Sequence, residues 1–253
     1  MSTFTPRILL PLMMVALGLS SPHLPAATPI SFSGYSWSVR SGQGGPGPNA
    51  WDSRNVWLDA EGRLHLKIAR RDGQWSCAEV TLQQRLGFGR YQFEVEGPID
   101  QFDPNIVLGL FNYPTRDVGG DATHEIDIEI ARWGNPAFPN GNYVVWPVDP
   151  SLKQIANTFE FALTGSGSTH RFDWNPSRVV FQSLQGFIRD NQEGAEFGRW
   201  TFEPKDAPRR LAQKPMPVHL NLWLFQGRPP TDNKEVEVVI RRFSFAPIHS
   251  KSP

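Results

Sequence analysis

The sequence predicts an all-β protein built as a sandwich of two antiparallel sheets, and three observations carry that prediction. Apolar residues alternate with period two in one segment after another, turn residues recur between those segments, and helical periodicity is hard to find. The chain has 253 residues, enough for one well-buried domain and short for two. More than ten short strands at this spacing cannot remain one open twisted sheet, so they are expected to pack face to face.

The elements follow in order. Arg7, an apolar run from Ile8 to Leu19 and small residues ending near Ala26-Ala27 have the pattern of an export signal over residues 1–27. The run is too short to span a bilayer. A secreted or periplasmic protein, free of the membrane after cleavage, is the expectation. Residues 28–247 are then the folded domain and 248–253 a polar tail. The stretch from Ser41 to Asn49, SGQGGPGPN, reads as a loop, and NVWLD as a short strand. In LHLKIAR, after the turn-like DAEG, Leu64, Leu66 and Ile68 share one side; Tyr91, Phe93 and Val95 do so in YQFEVEG. CAEVTLQQ, NIVLGLFNY, NYVVWPV, THRFDW and RVVFQSLQG are further strand candidates. Val218, Leu220, Leu222 and Leu224 alternate next, a GRPP loop follows at Gly227 to Pro230, and Val236, Val238 and Ile240 close the pattern.

Composition narrows the function. Lys+Arg and Asp+Glu are 25 each, and basic residues occur at most in pairs such as Arg70-Arg71, so nothing tracks a phosphate backbone and nucleic acid is excluded as a partner class. The single Cys77 rules out an intramolecular disulfide and reads as a small buried hydrophobe. Nine Trp and 17 Phe are more aromatic surface than a core of this size obviously needs. Six His are scattered with no spacing of a metal pair. His124 and His170 each read equally as structural residues or as site residues.

The informative segment is HEIDIEIARWG. On an extended strand Glu125, Asp127 and Glu129 fall on one face while Ile126, Ile128 and Ile130 fall on the other. Folding accounts for the isoleucines, but three like charges in a row repel one another. Glycoside hydrolysis would use them, because it needs two carboxyl groups flanking the scissile bond, roughly 5–5.5 Å apart in a retaining enzyme. Positions i and i+4 of a strand are about 13 Å apart, so the two Glu side chains must lean inward over Asp127. A solvated strand face or a calcium site would account for the same string.

The segment resembles the catalytic strand of glycoside hydrolase family 16, the lichenases, laminarinases, agarases and xyloglucan transglycosylases. LGFGRYQFEVEG, NIVLGLFNY, EIDIE, THRFDWNPSRVVFQ and VHLNLWLFQG stand in that family's order, from about Ser31 to Pro247. One residue separates Asp127 from Glu129, as in the lichenase and xyloglucan branch. The resemblance implies a concanavalin A-like jelly roll with a concave glycan-binding cleft and retention of configuration. It makes Glu125 the nucleophile, Glu129 the general acid/base and Asp127 the helper between them. It also places Glu79, Phe111, Tyr113, Asn221 and Trp223 in the cleft. Aromatic faces there would seat sugar rings, and Asn and Glu would hydrogen-bond hydroxyls. Trp133 joins this set as a residue lichenases lack. Thr81 and Thr123 stand where lichenases tend to have Arg and Trp, so the resemblance does not carry their mixed-linkage specificity over to this chain.

The expected function is therefore a retaining endo-β-glycanase acting on a polysaccharide of the β-glucan kind, as a monomer. No cofactor is required for the chemistry, no metal ligand set is assigned, and a structural calcium is left open. A transglycosylase shares the same covalent intermediate, and a binding module that keeps the cleft without turnover is the reading from a different class.

Overall fold

The computed structural model describes residues 29–190 and 192–248. The export-signal reading, and all of the polar tail but its first residue, lie outside them. Two large sheets account for most of the chain. The first runs Ile30–Phe32, Tyr35–Val39, Ala78–Leu82, Val218–Leu224, Ile106–Asn112, Ile126–Ala131, Gly141–Val145, Ile155–Phe159 across its width. The second runs Glu196–Phe202, Val179–Gln185, Gly167–Trp174, Gly89–Glu96, Val236–Pro247, Leu64–Arg71, Val56–Leu58, with Gln74–Ser76 paired to Leu64–Arg71. Among the described residues every strand-to-strand ladder is antiparallel, and an isolated bridge between Trp51 and Cys77 is parallel. Among the described residues the only α-helix is the single turn Ala207–Arg210, and no helix is long and apolar enough to cross a membrane.

The alternation in the sequence is the alternation of the sandwich. Ile126, Ile128 and Ile130, Leu108 and Leu110, and Leu220 and Leu222 point inward and are fully buried. They meet Phe93, Phe172, Phe181 and Phe243 from the second sheet in one continuous core. Contacts between aromatic rings join the layers: Trp37 meets Phe243 edge-on at 5.5 Å, and Tyr143 stacks on Phe181 at 4.9 Å. Two tryptophans are pure core, with Trp37 Nε1 donating to Phe32 O and Trp174 Nε1 to Ala212 O, both at 3.1 Å. Cys77 is free and buried.

Some strands carry no period-two signature. Ile155–Phe159 is an exposed edge with no dry face to mark, and Glu196–Phe202 is an edge strand interrupted by Gly198. Ile30–Phe32 is too short to stand out, whereas Tyr35–Val39, YSWSV, does alternate and is a strand that the sequence reading leaves out. The stretch from Ser41 to Asn49 is corrected in part: Gly42–Gly44 pairs with Asn49–Trp51 in a small ribbon, and its first strand, GQG, has too few side chains to show alternation.

One polar chain crosses the core. Tyr143 Oη donates to Ser183 Oγ at 2.8 Å, and His170 lies between Ser183 Oγ (2.8 Å from Nδ1) and Ser168 Oγ (2.9 Å from Nε2). His170 is therefore a satisfied core residue and not part of a site. Burial pushes it down to about 3, while an unfolded histidine titrates near 6.5. Between those values only the unfolded state binds the proton, so stability present above pH 6.5 is lost as pH falls, by up to ~1.4 kcal/mol per pH unit. Urea unfolding from pH 7 to 4 should show that loss, and His170→Gln should make its slope shallower by up to one proton. An unchanged slope in the variant would refute this account.

Candidate active site

Strand register sets the acids into rows. Glu129 pairs with Gly109 on one side and Asn142 on the other; Gly109 pairs with Asn221, and Asn221 with Glu79. One step along, Asp127 pairs with Phe111, Phe111 with His219, and His219 with Thr81, while Val144 flanks Asp127 on its far side. Glu125 lies just before the strand Ile126–Ala131, its carbonyl accepting from Trp146 N–H at 2.9 Å. The face opposite the isoleucines is thus the floor of a cleft of about 640 Å³. Gly109 gives this floor its depth. A Cβ there would collide with Asn221 Oδ1 and come within 3.2 Å of the Phe111 ring.

Two turns aim the ends of the acid strand. Ala122 and His124, just before Glu125, have φ of 61° and 62°, and Trp133, just after the strand, has φ of 51°. Non-glycine residues in this region are uncommon and persist only where their surroundings hold them. Trp133 is held by its indole, which donates to Asn142 Oδ1 at 3.3 Å and packs on Trp223 (6.3 Å) and Phe225 (5.6 Å). At the other end Tyr113 Oη donates to Asp121 Oδ1 at 2.8 Å.

All nine residues singled out in the sequence line this one cleft: Glu79, Phe111, Tyr113, Glu125, Asp127, Glu129, Trp133, Asn221 and Trp223. The sequence reading missed Arg40, Gly45, Pro46, Asp121, Trp146 and His219, which line it too. His219 was within reach, since it alternates with Asn221 and Trp223 in VHLNLW and must share their face. The others sit on loops, where no periodicity points. His124 stays at the edge, its Nδ1 2.9 Å from Thr123 Oγ1. Another hollow, shallower and beside Ser33, already has its charges paired, Asp190 with Arg242 and with Ser244.

The acids perturb one another. Burial, the Glu129 charge and Asp121 push Glu125 up to about 8, against a hydrogen-bonding influence of Asp127. Burial pushes Glu129 up to about 7. Asp127, 1% exposed, is raised by burial and then by the charges on either side. Neither Asp127 oxygen has a partner at strict hydrogen-bond geometry, although Glu125 and the Trp146 indole are close enough to act on its titration. Such a set titrates as a unit and retains protons near neutral pH. Glu79 behaves oppositely. Burial pushes it up, but His219 and Arg40 outweigh that and hold it below the usual carboxylate range. Among the described residues no group of three or more His, Cys, Asp or Glu side chains is placed to hold a metal ion.

The two-sheet jelly roll that presents this cleft is the fold of the glycoside hydrolase family 16 glucanases. It matches a family 16 endo-glucanase from Bacteroides ovatus with a TM-score of 0.62 at 14% identity, covering 83% of this chain and 94% of that one. A pseudo β-1,3-glucanase of Mycobacterium tuberculosis matches at 0.59 and 18% identity, covering 83% and 91%. In sequence, the chain is 26% identical over 167 residues to xyloglucan endotransglycosylase/hydrolase protein 8 of rice, Oryza sativa subsp. japonica. That match spans 63% of this chain and 53% of the rice protein, so the chain spans about half the length of its curated relative. No family model matches.

Raised carboxyl pKa values make the acid cluster a destabilising feature at high pH. An unfolded Glu titrates near 4.3, so stability present below that value is lost as pH rises through about 8, where Glu125 ionises in the fold. Glu125→Gln should therefore raise the melting temperature at pH 8, by about 2–4 °C for each kcal/mol relieved, and leave it nearly unchanged at pH 4. An equal shift at both pH values would show that the charge is not the cause.

Proposed function

We propose that this protein is a secreted retaining endo-β-glycanase that cleaves a polysaccharide of the β-glucan class. The observation that carries the reading is the row of three acids at the floor of the cleft, Asp127 buried between two half-buried Glu, with burial pushing all three toward protonation and the neighbouring charges adding to it at Glu125 and Asp127. The M. tuberculosis protein, named a pseudo β-1,3-glucanase, shares the fold, so the acids support turnover where the fold alone would not.

In the proposed mechanism the three acids share their protons as one set, and the productive form has Glu129 protonated and Glu125 ionised. A protonated Asp127 donates to the Glu125 carboxylate, which favours the charge on Glu125 and the proton on Asp127, the directions in which each acts on the other. Glu129 gives its proton to the glycosidic oxygen as Glu125 attacks the anomeric carbon; the C–O bond to the leaving sugar breaks and an ester to Glu125 forms. Glu129, now a carboxylate, takes a proton from water, whose oxygen displaces Glu125 with a second inversion. The residues act without a cofactor in this scheme, and one chain supplies all of them.

Trp133, Trp223 and Phe111 offer apolar faces for sugar rings, and Asn221 hydrogen bonds for hydroxyls. The rice relative is named as both endotransglycosylase and hydrolase, and transfer differs only in that a sugar hydroxyl replaces water in the second step. Export rests on the leader pattern of residues 1–27 and suits a polymer too large to enter a cell; sequencing the N-terminus of exported protein would place the cleavage near Ala27, and an intact Met1 would sink the idea.

The central test is product analysis by mass spectrometry on mixed-linkage β-glucan, laminarin and xyloglucan. Oligosaccharides should appear with the wild type, and Glu125→Ala or Glu129→Ala should lower the rate by about 10³-fold or more. Elongated or hybrid products would establish transfer. Full activity in either variant, or a folded wild type that cleaves nothing, would overturn the assignment. Activity should also fall above pH 7 to 8, where Glu129 loses the proton that it must donate.

A further inference from the structure

The sequence reading treats Glu79 as a residue that touches sugar. Its surroundings give it a second role. Glu79 is only 5% exposed, and both carboxylate oxygens are engaged: Oε2 accepts from Arg40 Nη1 at 2.8 Å, and Oε1 lies 3.2 Å from His219 Nδ1. Arg40 is itself held, its guanidinium 4.2 Å above the Trp51 ring. Three groups thus converge behind one imidazole, and that imidazole lines the cleft.

His219 is fixed in two further ways. Its ring stacks on Phe111 at 5.2 Å and 28°, and meets Tyr113 at 5.7 Å and 62°. Thr81 Oγ1 also lies 3.2 Å from Nδ1. A carboxylate only accepts, so the hydrogen bond to ionised Glu79 assigns a proton to Nδ1. In the neutral ring Nε2 is then a lone-pair acceptor, and among the described residues it has no hydrogen-bond partner.

Strand register, with the ring pinned by Glu79 and Phe111, keeps His219 away from proton transfer at the reacting bond. Asp127, Phe111 and His219 are successive members of one cross-strand row, so His219 stands two strand spacings, about 10 Å, from the central acid. A general acid or base must reach within about 3 Å of its proton. What that distance suits is a sugar unit beside the one being attacked.

We propose that His219 is a specificity-determining residue of the cleft, held by Glu79 so that Nε2 accepts a hydrogen bond from a free hydroxyl of a neighbouring sugar unit. Glu79 is its positioning residue, and Arg40 braces the other Glu79 oxygen at 2.8 Å. The inference rests on the glycan-cleaving reading of the same cleft. A site built around an acceptor discriminates against a unit whose hydroxyl is blocked, because the acceptor then loses water without gaining a partner.

The test uses the Glu125→Ala protein as parent, so that binding is read without turnover. Affinity electrophoresis through gels containing mixed-linkage β-glucan, laminarin or xyloglucan gives dissociation constants for the parent and for added His219→Ala, His219→Gln and Glu79→Gln changes. His219→Ala should weaken binding about tenfold. Glu79→Gln should weaken it in the same direction, with the double change less than additive, and His219→Gln, which keeps an acceptor, should recover part of the loss. In the active enzyme, His219→Gln should raise KM and change kcat less than about twofold, a split that loss of structure would not give. Partial O-methylation of the polymer should shrink the difference between parent and His219→Ala. Equal retardation of the parent and every His219 and Glu79 variant overturns this inference alone. A folded parent that no polymer retards overturns the glycan-cleaving reading, and this inference with it.

Discussion

The strict two-residue period of an extended strand is the constraint on which the rest of the molecule depends. Ile126, Ile128 and Ile130 lock one face of the acid strand into the core, each contributing roughly 1.5–3 kcal/mol of burial. The same geometry obliges Glu125, Asp127 and Glu129 to share the opposite face. Enclosing three carboxyls together costs on the order of several kcal/mol, and the isoleucines hold them there regardless. A slip of one residue would exchange the two faces and lose both. Core and cleft are two readings of one register.

That register explains why so much could be read from the sequence. Val218, Leu220, Leu222 and Leu224 announce a core face, so His219, Asn221 and Trp223 must lie on the other, and the structure puts them in the cleft. Phe111, which reads equally well as a core residue, follows the same rule, because Leu108 and Leu110 take the inward positions. The rule fails where its cause is absent. Arg40, Asp121 and Trp146 enter the cleft from turns and strand ends, which no alternation governs. The edge strand Ile155–Phe159 has no dry face to pattern. The glycines of Gly42–Gly44 pair through their backbones alone.

The charges of the cleft are handled in two different ways on two strands of one sheet, with two strands between them. On the acid strand, carboxyls are enclosed without cations, and protons take up the excess charge. On Ala78–Leu82, Glu79 is buried more completely than either Glu of the acid strand, yet a hydrogen bond from His219 and the Arg40 cation hold it ionised. Gly109 and Asn221 lie between the two arrangements and carry no charge. The same residue type is thereby a proton reservoir at one end of a row and a fixed anion at the other, and the neighbours alone make the difference.

The small glycine ribbon has a consequence for how the molecule is assembled. Trp51 Nε1 donates to Gly44 O within the ribbon, and Asn49 Nδ2 donates to Leu224 O, a partner 175 residues further along the chain. The acid strand likewise has its row completed by residues 218–224. Contacts of such sequence separation close late, after long loops have been brought together. The cleft is therefore finished only when nearly the whole domain has been made, and a chain still emerging from its ribosome has the three acids but neither the floor nor the wall that gives them a shared environment.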